Sequence, residues 1–281
     1  MEPPGSVGID LANWNWRGVR LFCQVRFAKT LCGSSCYNYL HRLGFVLKRP
    51  KKRLLKADAE KRERFVSAYA ELCLDAAAKG AKIFFADEAH FRADVYLRAK
   101  WVPRGEPALA DSTSPPLSEK VSYYSAICLE TGETEAMAVP KNCNADTSVS
   151  FLKEVRSKHT EPLIVIWDNS AVHRGPEMRE YLKTPDLRLQ LVALPAYSPD
   201  FNADEAIWEW AREEATANIC FGTAAKVRER MDHFFSGLAK RTAEAKGRCR
   251  TILQAKADAL LASAASLVAP TNHVDFILGS V

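Results

Sequence analysis

Two carboxylates stand where acidic side chains could hold a divalent metal ion. Asp87 follows the apolar run 81–86, Asp168 follows the run 163–167, and both runs have the composition of buried strands. A carboxylate beside a core strand is unfavourable unless something compensates its charge. Mg²⁺ is an effective compensator because it prefers oxygen ligands and binds one or two carboxylates plus substrate phosphate.

A third acid would complete such a site. In segment 197–205 a loop leads into a helix; Asn202 is predicted to cap this helix, which places Glu205 in its first turn. Asp204 is the rival ligand, but it points about 100° away on the same helix, so we prefer Glu205. Two metal ions about 3.5–4 Å apart would then support in-line displacement at phosphorus without a covalent enzyme nucleophile. The alternative is that the strand-end acids are ordinary turn residues.

The order of the strands and helices that must position these acids predicts a mixed α/β domain. Three strands with an antiparallel pattern come first, and helices and strands alternate after them. We expect strands at 81–86, 121–129, 133–139, 163–167 and 187–194, and helices at 146–157, 175–182 and 203–216.

The start of the chain has the outline of a helix-turn-helix. Segments 16–27 and 33–43 each carry apolar side chains three or four residues apart, and the connection between them is short. The second helix would enter the major groove of DNA. Its exposed side is predicted to present Ser34, Ser35, Tyr37, Asn38, His41 and Arg42.

A basic run follows the second helix. It consists of Lys48, Arg49, Lys51, Lys52, Arg53 and Lys56. Residues 1–64 carry a net charge of +9, whereas residues 65–281 carry −4. A basic head on a mildly acidic body indicates that the head binds a polyanion, and double-stranded DNA is the first candidate. A solvated linker is the alternative for this run.

Length and composition narrow the class of protein. The 281 residues are enough for one sizeable core and a small accessory domain. We expect a cytoplasmic protein with no membrane partner, because neither a signal peptide nor a membrane-spanning run is apparent. A DNA-binding role would associate it with the nucleoid, and no small-molecule substrate is expected. The eight cysteines are interpreted as reduced thiols, and Cys32 and Cys36 lack the second pair that a zinc site needs.

Four segments resemble the mariner-like insertion-sequence transposases of bacteria. They are FFADEAHF (84–91), KWVPRG (100–105), LIVIWDNSAVHRG (163–175) and LPAYSPDFNADEAIWEW (194–210). The order Asp, Asp, Glu and the short last interval match the catalytic triad of that family. The family usually has Leu-Asn-Pro-Ile-Glu around the last acid, whereas this chain has Phe-Asn-Ala-Asp-Glu at 201–205.

The resemblance implies an RNase H-like catalytic core preceded by a helix-turn-helix or winged-helix domain. It implies that Asp87, Asp168 and Glu205 are catalytic and bind two Mg²⁺ ions, for which Mn²⁺ would substitute. It also implies DNA cleavage and strand transfer at the terminal inverted repeats of the element, insertion at TA dinucleotides and a homodimer on DNA. Asn169, His173 and Asn202 are accessory candidates.

We expect four segments along the chain: a DNA-binding region (1–56), a connecting helix (57–80), a catalytic domain (81–220) and a C-terminal helical segment with a tail (221–281). Relatives commonly carry two helix-turn-helix units, whereas this chain has room for one, so a truncated or misannotated start is one interpretation. The alternative function is therefore a catalytically silent DNA-binding remnant. A general RNase H-like nuclease is a third interpretation.

Overall fold

The chain divides into two compact units, Met1–Leu54 and Leu55–Val281. The structure is a computed structural model that describes residues 2–48, 56–139 and 142–268.

The first unit contains a short 3-10 turn and two helices, α1 (Trp16–Phe27) and α2 (Gly33–Arg42). Asn15 caps α1, because its side chain accepts hydrogen bonds from the backbone N–H groups of Arg17 and Gly18. The two predicted helices of the helix-turn-helix are therefore present.

The second unit is a five-stranded mixed sheet with helices on both faces. Its strands are β1 (Lys82–Arg92), β2 (Lys120–Cys128), β3 (Thr134–Val139), β4 (Leu163–Trp167) and β5 (Leu189–Ala193). Its helices are α3 (Ala59–Lys79), α4 (Ala145–Lys158), α5 (Pro176–Leu182), α6 (Glu205–Ala211), α7 (Ala224–Leu238), α8 (Thr242–Arg248) and α9 (Ile252–Val268).

The strand order is β3-β2-β1-β4-β5. Strands β1, β2 and β3 pair antiparallel, and β4 and β5 join β1 in parallel. The predicted mixed α/β sheet flanked by helices is confirmed. The tight turn between β2 and β3 needs glycine, since Gly132 has φ 78° and a Cβ there would lie 2.0 Å from the carbonyl oxygen of Thr242.

Each face of the sheet has its own core because strand side chains alternate between faces. Phe85, Ala89 and Phe91 pack on one face with residues of α3, α6 and α7. Phe84 and Ala86 pack on the other face with residues of α4 and α5. Consecutive residues of β1 therefore serve opposite sides of the sheet.

Two boundaries differ from the prediction. Strand β1 continues to Arg92, so Asp87 lies inside it and not at its end; pairing with β2 sustains the strand after its apolar run stops. Helix α6 begins at Glu205 and changes at Arg212 into a π-helical turn that ends at Thr216. In the described part of the chain, no helix is long and apolar enough to cross a membrane.

Candidate active site

Asp87 lies in β1, and Asp168 directly follows β4, the parallel neighbour of β1. The last pair in the register of β1 with β4 is Phe85 with Ile166. Continuing this register by two residues places Asp87 beside Asp168, and the alternation of side chains puts both on the same face of the sheet. Adjacent strands lie about 4.8 Å apart, so the two carboxylates are neighbours.

Glu205 enters from the helix that packs on this face. It is the first residue of α6, and Ile207, Trp208 and Trp210 of that helix are fully buried. Their packing fixes the direction in which the first turn presents its side chains. Glu205 itself is exposed, so its carboxylate is open to a ligand.

The loop before α6 is anchored to α3. The guanidinium of Arg62 donates two hydrogen bonds to the carboxylate of Asp200, at 2.9 and 2.7 Å, and lies 4.0 Å from the centre of the Phe201 ring. A paired guanidinium fork of this kind fixes orientation as well as distance. The start of the segment that leads to Glu205 is therefore held against α3.

Asn202 joins the strand of Asp87 to the helix of Glu205. Its side-chain amide donates to the carbonyl oxygen of Ala86 at 3.0 Å, and its Oδ1 accepts from the backbone N–H of Asp204 at 3.1 Å. The predicted capping role needs correction, because the helix starts at Glu205 and Asn202 lies three residues before it. Asn202 instead forms hydrogen bonds with the backbone groups of the residues that precede Asp87 and Glu205.

Asp204 faces the interior. Its side chain is completely buried, and its Oδ2 accepts a hydrogen bond from the hydroxyl of Ser125. Within the described residues its Oδ1 has no hydrogen-bond partner. Burial raises the pKa of Asp204 well above the ordinary value, and the negative charges of Asp87 and Glu205 add to the rise.

Several carboxylates gather around Asp87. Burial raises the pKa of Asp87 well above its ordinary value, and the charges of Glu205, Glu88 and Asp168 raise it further. Desolvation by the surrounding protein also raises the pKa of Glu205, although the residue as a whole is exposed. Asp87 is thus close enough to Glu205 and to Asp168 for their charges to act on it.

This arrangement fits a divalent cation. A buried acid with a raised pKa, surrounded by further carboxylate oxygens, lacks the positive charge that would stabilise its ionised form. Oxygen donors of this kind suit Mg²⁺ or Mn²⁺. Across residues 2–48, 56–139 and 142–268, no three His, Cys, Asp or Glu side chains already stand at the spacing of a metal site.

The accessory candidates differ in their surroundings. Asn169 is exposed beside Asp168. His173 is buried, and its Nε2 lies 3.2 Å from Oδ1 of Asp168 and 3.5 Å from Oε2 of Glu88. Burial lowers the pKa of His173, but the two carboxylates outweigh it and the net shift is upward. His173 in turn lowers the pKa of Asp168.

Glu88 was missed by the sequence reasoning. It adjoins Asp87 in β1, so strand alternation sends it to the opposite face, where it accepts a hydrogen bond from Nε1 of Trp167 at 3.1 Å. The signal was present in the sequence, since a second acid inside a core strand also needs partners. Ser125 was missed as well, because only the pairing of β2 with β1 places it opposite Asp87.

The residues predicted to contact DNA lie on α2 and after it. Asn38, Arg42 and Lys48 are exposed. Ser34 and Ser35, in the first turn, place their hydroxyls 3.1 and 3.2 Å from Sγ of Cys32, and these contacts lower the pKa of that thiol to about 7. The remaining candidates lie outside the described residues: Arg49, Lys51, Lys52 and Arg53.

Comparison with known proteins gives two matching family models. One, described as DDE superfamily endonuclease, matches residues 82–228, and the other, described as winged helix-turn helix, matches residues 12–69. A curated relative, the insertion element IS630 uncharacterized 39 kDa protein of Shigella sonnei, is 23% identical over 234 residues. That alignment covers 82% of this chain and 66% of the relative, so the chain spans just under two thirds of its relative's length.

Solved structures of Mos1 have a similar fold. The Mos1 mariner paired end complex with Mn has a TM-score of 0.58 at 16% identity, covering 90% of this chain and 78% of that chain. The Mos1 strand transfer complex has a TM-score of 0.55 at 16% identity, covering 89% and 80%. At this identity the likeness concerns the fold alone. With the family model matching more than half of its residues, the chain belongs to the DDE superfamily of endonucleases.

Proposed function

We propose that this protein is a transposase that binds the ends of its own insertion element and cuts and joins DNA there. The observation that carries the proposal is the parallel register of β1 with β4, which leads Asp87 and Asp168 to adjacent positions, with Glu205 close enough to raise the pKa of Asp87. Membership of the endonuclease superfamily and the winged helix-turn-helix match support the same function. The relative belongs to an insertion element, and the similar Mos1 structures are a paired end complex and a strand transfer complex.

Asp87, Asp168 and Glu205 would hold the metal ions, and we propose two ions per site, Mg²⁺ or Mn²⁺. When bound, they supply activation of the attacking oxygen and stabilisation of the leaving oxygen. The sheet fixes the two aspartates, and Asn202 and Arg62 fix the loop that presents Glu205. Rigid support of this kind keeps the acids in place for an in-line reaction at phosphorus.

We propose that the first unit recognises the terminal inverted repeats through α2, with Ser34, Ser35, Asn38 and Arg42 near the bases. The basic run that contains Lys48 would contact phosphates. Insertion at TA dinucleotides and a homodimer that pairs two ends complete the proposal. Light scattering with and without end DNA tests the dimer, which is rejected if every species is a monomer.

The test is cleavage of a DNA fragment that carries the flanking ends of the gene, with Mg²⁺ or Mn²⁺. The unaltered chain is compared with Asp168→Asn, and Glu180→Gln, an exposed acid of α5, is the matched control. We expect cuts at the repeat boundary with the unaltered chain and the control, and none with Asp168→Asn. DNA binding without cutting would identify a catalytically silent remnant. Cleavage of RNA–DNA hybrids without regard to element ends would indicate a general nuclease.

A further inference from the structure

Glu88, Trp167 and His173 form a buried group behind Asp168. The carboxylate of Glu88 accepts a hydrogen bond from the indole N–H of Trp167, and the same oxygen lies 3.5 Å from Nε2 of His173. That nitrogen is 3.2 Å from Oδ1 of Asp168. His173 therefore lies between an acid that no catalytic role accounts for and a proposed metal ligand.

The position of His173 is tightly restricted. It belongs to the 3-10 turn Ala171–Arg174, and its side chain is only 2% exposed. Its ring stacks on that of Trp167, with centroids 3.9 Å apart and planes 25° apart. Trp167 is itself fully buried against the rings of Tyr124 and Phe151. Such burial separates His173 from the surface that DNA can reach, so it is unsuited to direct proton transfer with substrate.

Among the described residues, both protein contacts of the Asp168 carboxylate are made by the same oxygen, Oδ1. Its Oδ1 accepts a hydrogen bond from the backbone N–H of Ser170 at 3.0 Å and is also the oxygen nearest to His173. Both contacts restrain the rotation of the carboxylate and leave its Oδ2 for a cation. In known metal sites, partners behind the ligands set ligand orientation in this way, and their loss weakens metal affinity about 10–100-fold.

Both ring nitrogens of His173 are buried and, within the described residues, make no hydrogen bond. A buried imidazole without a partner is unfavourable, and a small rotation of the Asp168 carboxylate would supply one. The His173 ring is thus placed to form a hydrogen bond that holds the Asp168 carboxylate in a single orientation.

We propose that Glu88 and His173 are positioning residues for Asp168, with Glu88 acting through His173. The inference rests on the proposed function, since it takes Asp168 to be a metal ligand. Glu88 fixes the Trp167 and His173 rings, His173 restrains Asp168, and the carboxylate meets the metal ion already oriented. Glu88 does not itself bind the ion.

A double-mutant cycle on Mn²⁺ affinity tests this inference. Binding of Mn²⁺ to the full chain is measured by electron paramagnetic resonance of the free ion, for the unaltered chain, Glu88→Ala, His173→Ala and the double variant. We expect each single change to weaken affinity about tenfold and the double change to add little, because both act along one path. His90→Ala is the matched control, since His90 is exposed and bonds only Ser122 among the described residues.

Two further measurements separate positioning from misfolding. Glu88→Gln keeps the volume and an acceptor for Trp167, so we expect the indole N–H resonance of Trp167 to move less than in Glu88→Ala. At saturating Mn²⁺ the cleavage rate of Glu88→Gln should return to within about threefold of the unaltered rate, because only metal capture is impaired.

Each remaining outcome has a distinct meaning. If the effects of Glu88→Ala and His173→Ala on affinity add fully, Glu88 does not act through His173 and the inference is wrong. Unchanged affinity in both variants also overturns it. If Asp168→Asn binds Mn²⁺ as tightly as the unaltered chain, the proposed function itself fails, which is a separate result.

Discussion

The side-chain amide of Asn202 donates a hydrogen bond to the carbonyl oxygen of Ala86, across 3.0 Å and 116 residues of sequence. Ala86 immediately precedes Asp87, and the other end of the Asn202 side chain holds the N–H of Asp204, immediately before Glu205. One buried amide thereby sets the distance between two of the three proposed metal ligands.

Asn202→Ala should therefore impair both stability and cleavage. Removal of the amide leaves a buried carbonyl and a buried N–H without partners, at about 1–3 kcal/mol for each group. We expect unfolding in urea to shift to a lower midpoint, and cleavage of end DNA to fall about tenfold or more at temperatures where the variant is folded. Asn142→Ala, at an exposed position, is the control and should change neither. Wild-type cleavage by a folded Asn202→Ala protein would contradict this account.

Ser125→Ala should destabilise the protein through Asp204. The hydroxyl of Ser125 supplies the hydrogen bond to the fully buried carboxyl of Asp204, whose other oxygen already lacks a partner in the described chain. Removing that bond should lower the free energy of unfolding by about 1–3 kcal/mol. Ser122→Ala is the control, because Ser122 is equally buried on β2 but bonds the exposed His90.

The double variant Ser125→Ala, Asp204→Ile should recover the lost stability, because an apolar pair needs no hydrogen bond. Denaturant unfolding of the single and double variants measures the coupling between the two positions. A double variant less stable than both single variants would show that Asp204 contributes stability by another route.

Local sequence patterns predicted the helices and strands better than the contacts that hold the catalytic acids in place. The run 163–167 is apolar throughout and its β-branched residues favour a strand, so Asp168 could be located at its end. The contact of Asn202 with Ala86 joins distant segments, and no spacing rule reveals it. The same holds for His173, whose burial between Glu88 and Asp168 depends on the stacking of Trp167. Trp101 is fully exposed, because composition alone does not decide which aromatic side chains are buried.

The pH dependence of stability should include a contribution from Glu214. Its carboxylate accepts hydrogen bonds from both terminal nitrogens of Arg241, at 2.7 and 2.9 Å, and from Nε1 of Trp210 at 2.6 Å. Arg241 above all lowers the pKa of Glu214 from its ordinary 4.5 to about 2. Stability from a lowered acid pKa is present above the ordinary value and is lost as the pH falls from about 4.5 towards 2.

Glu214→Gln should remove this contribution at pH 7 and flatten the acid limb of the stability profile. We expect a loss of about 1 kcal/mol or less, since Glu214 lies at the surface where water screens the interaction. Thermal unfolding between pH 2 and pH 7 measures the difference. Glu213→Gln is the matched control, because Glu213 makes a single 3.4 Å contact with Arg248. If the two variants had the same dependence of stability on pH, Glu214 would not make the proposed contribution.

Substitutions in the first unit should separate phosphate contacts from base contacts. Lys48→Ala should weaken binding to end DNA and to unrelated DNA alike, and lower the salt dependence of log K by about one unit. Asn38→Ala should weaken binding to the element end alone, by about 1–3 kcal/mol. Fluorescence anisotropy over a range of salt concentrations distinguishes the two. Lys79→Ala, on α3, is the charge-matched control, and a salt slope unaffected by Lys48→Ala would contradict the assignment.

Asp87, Asp168 and Glu205 are proposed to form one metal site. Anomalous diffraction from crystals grown with Mn²⁺ locates bound manganese directly, and Asp168→Asn crystals provide the comparison. We predict an anomalous peak in contact with Asp87 and Asp168, with Glu205 at the same centre, that is lost or greatly weakened in Asp168→Asn. Manganese bound elsewhere, or an unchanged peak in the variant, would contradict the account.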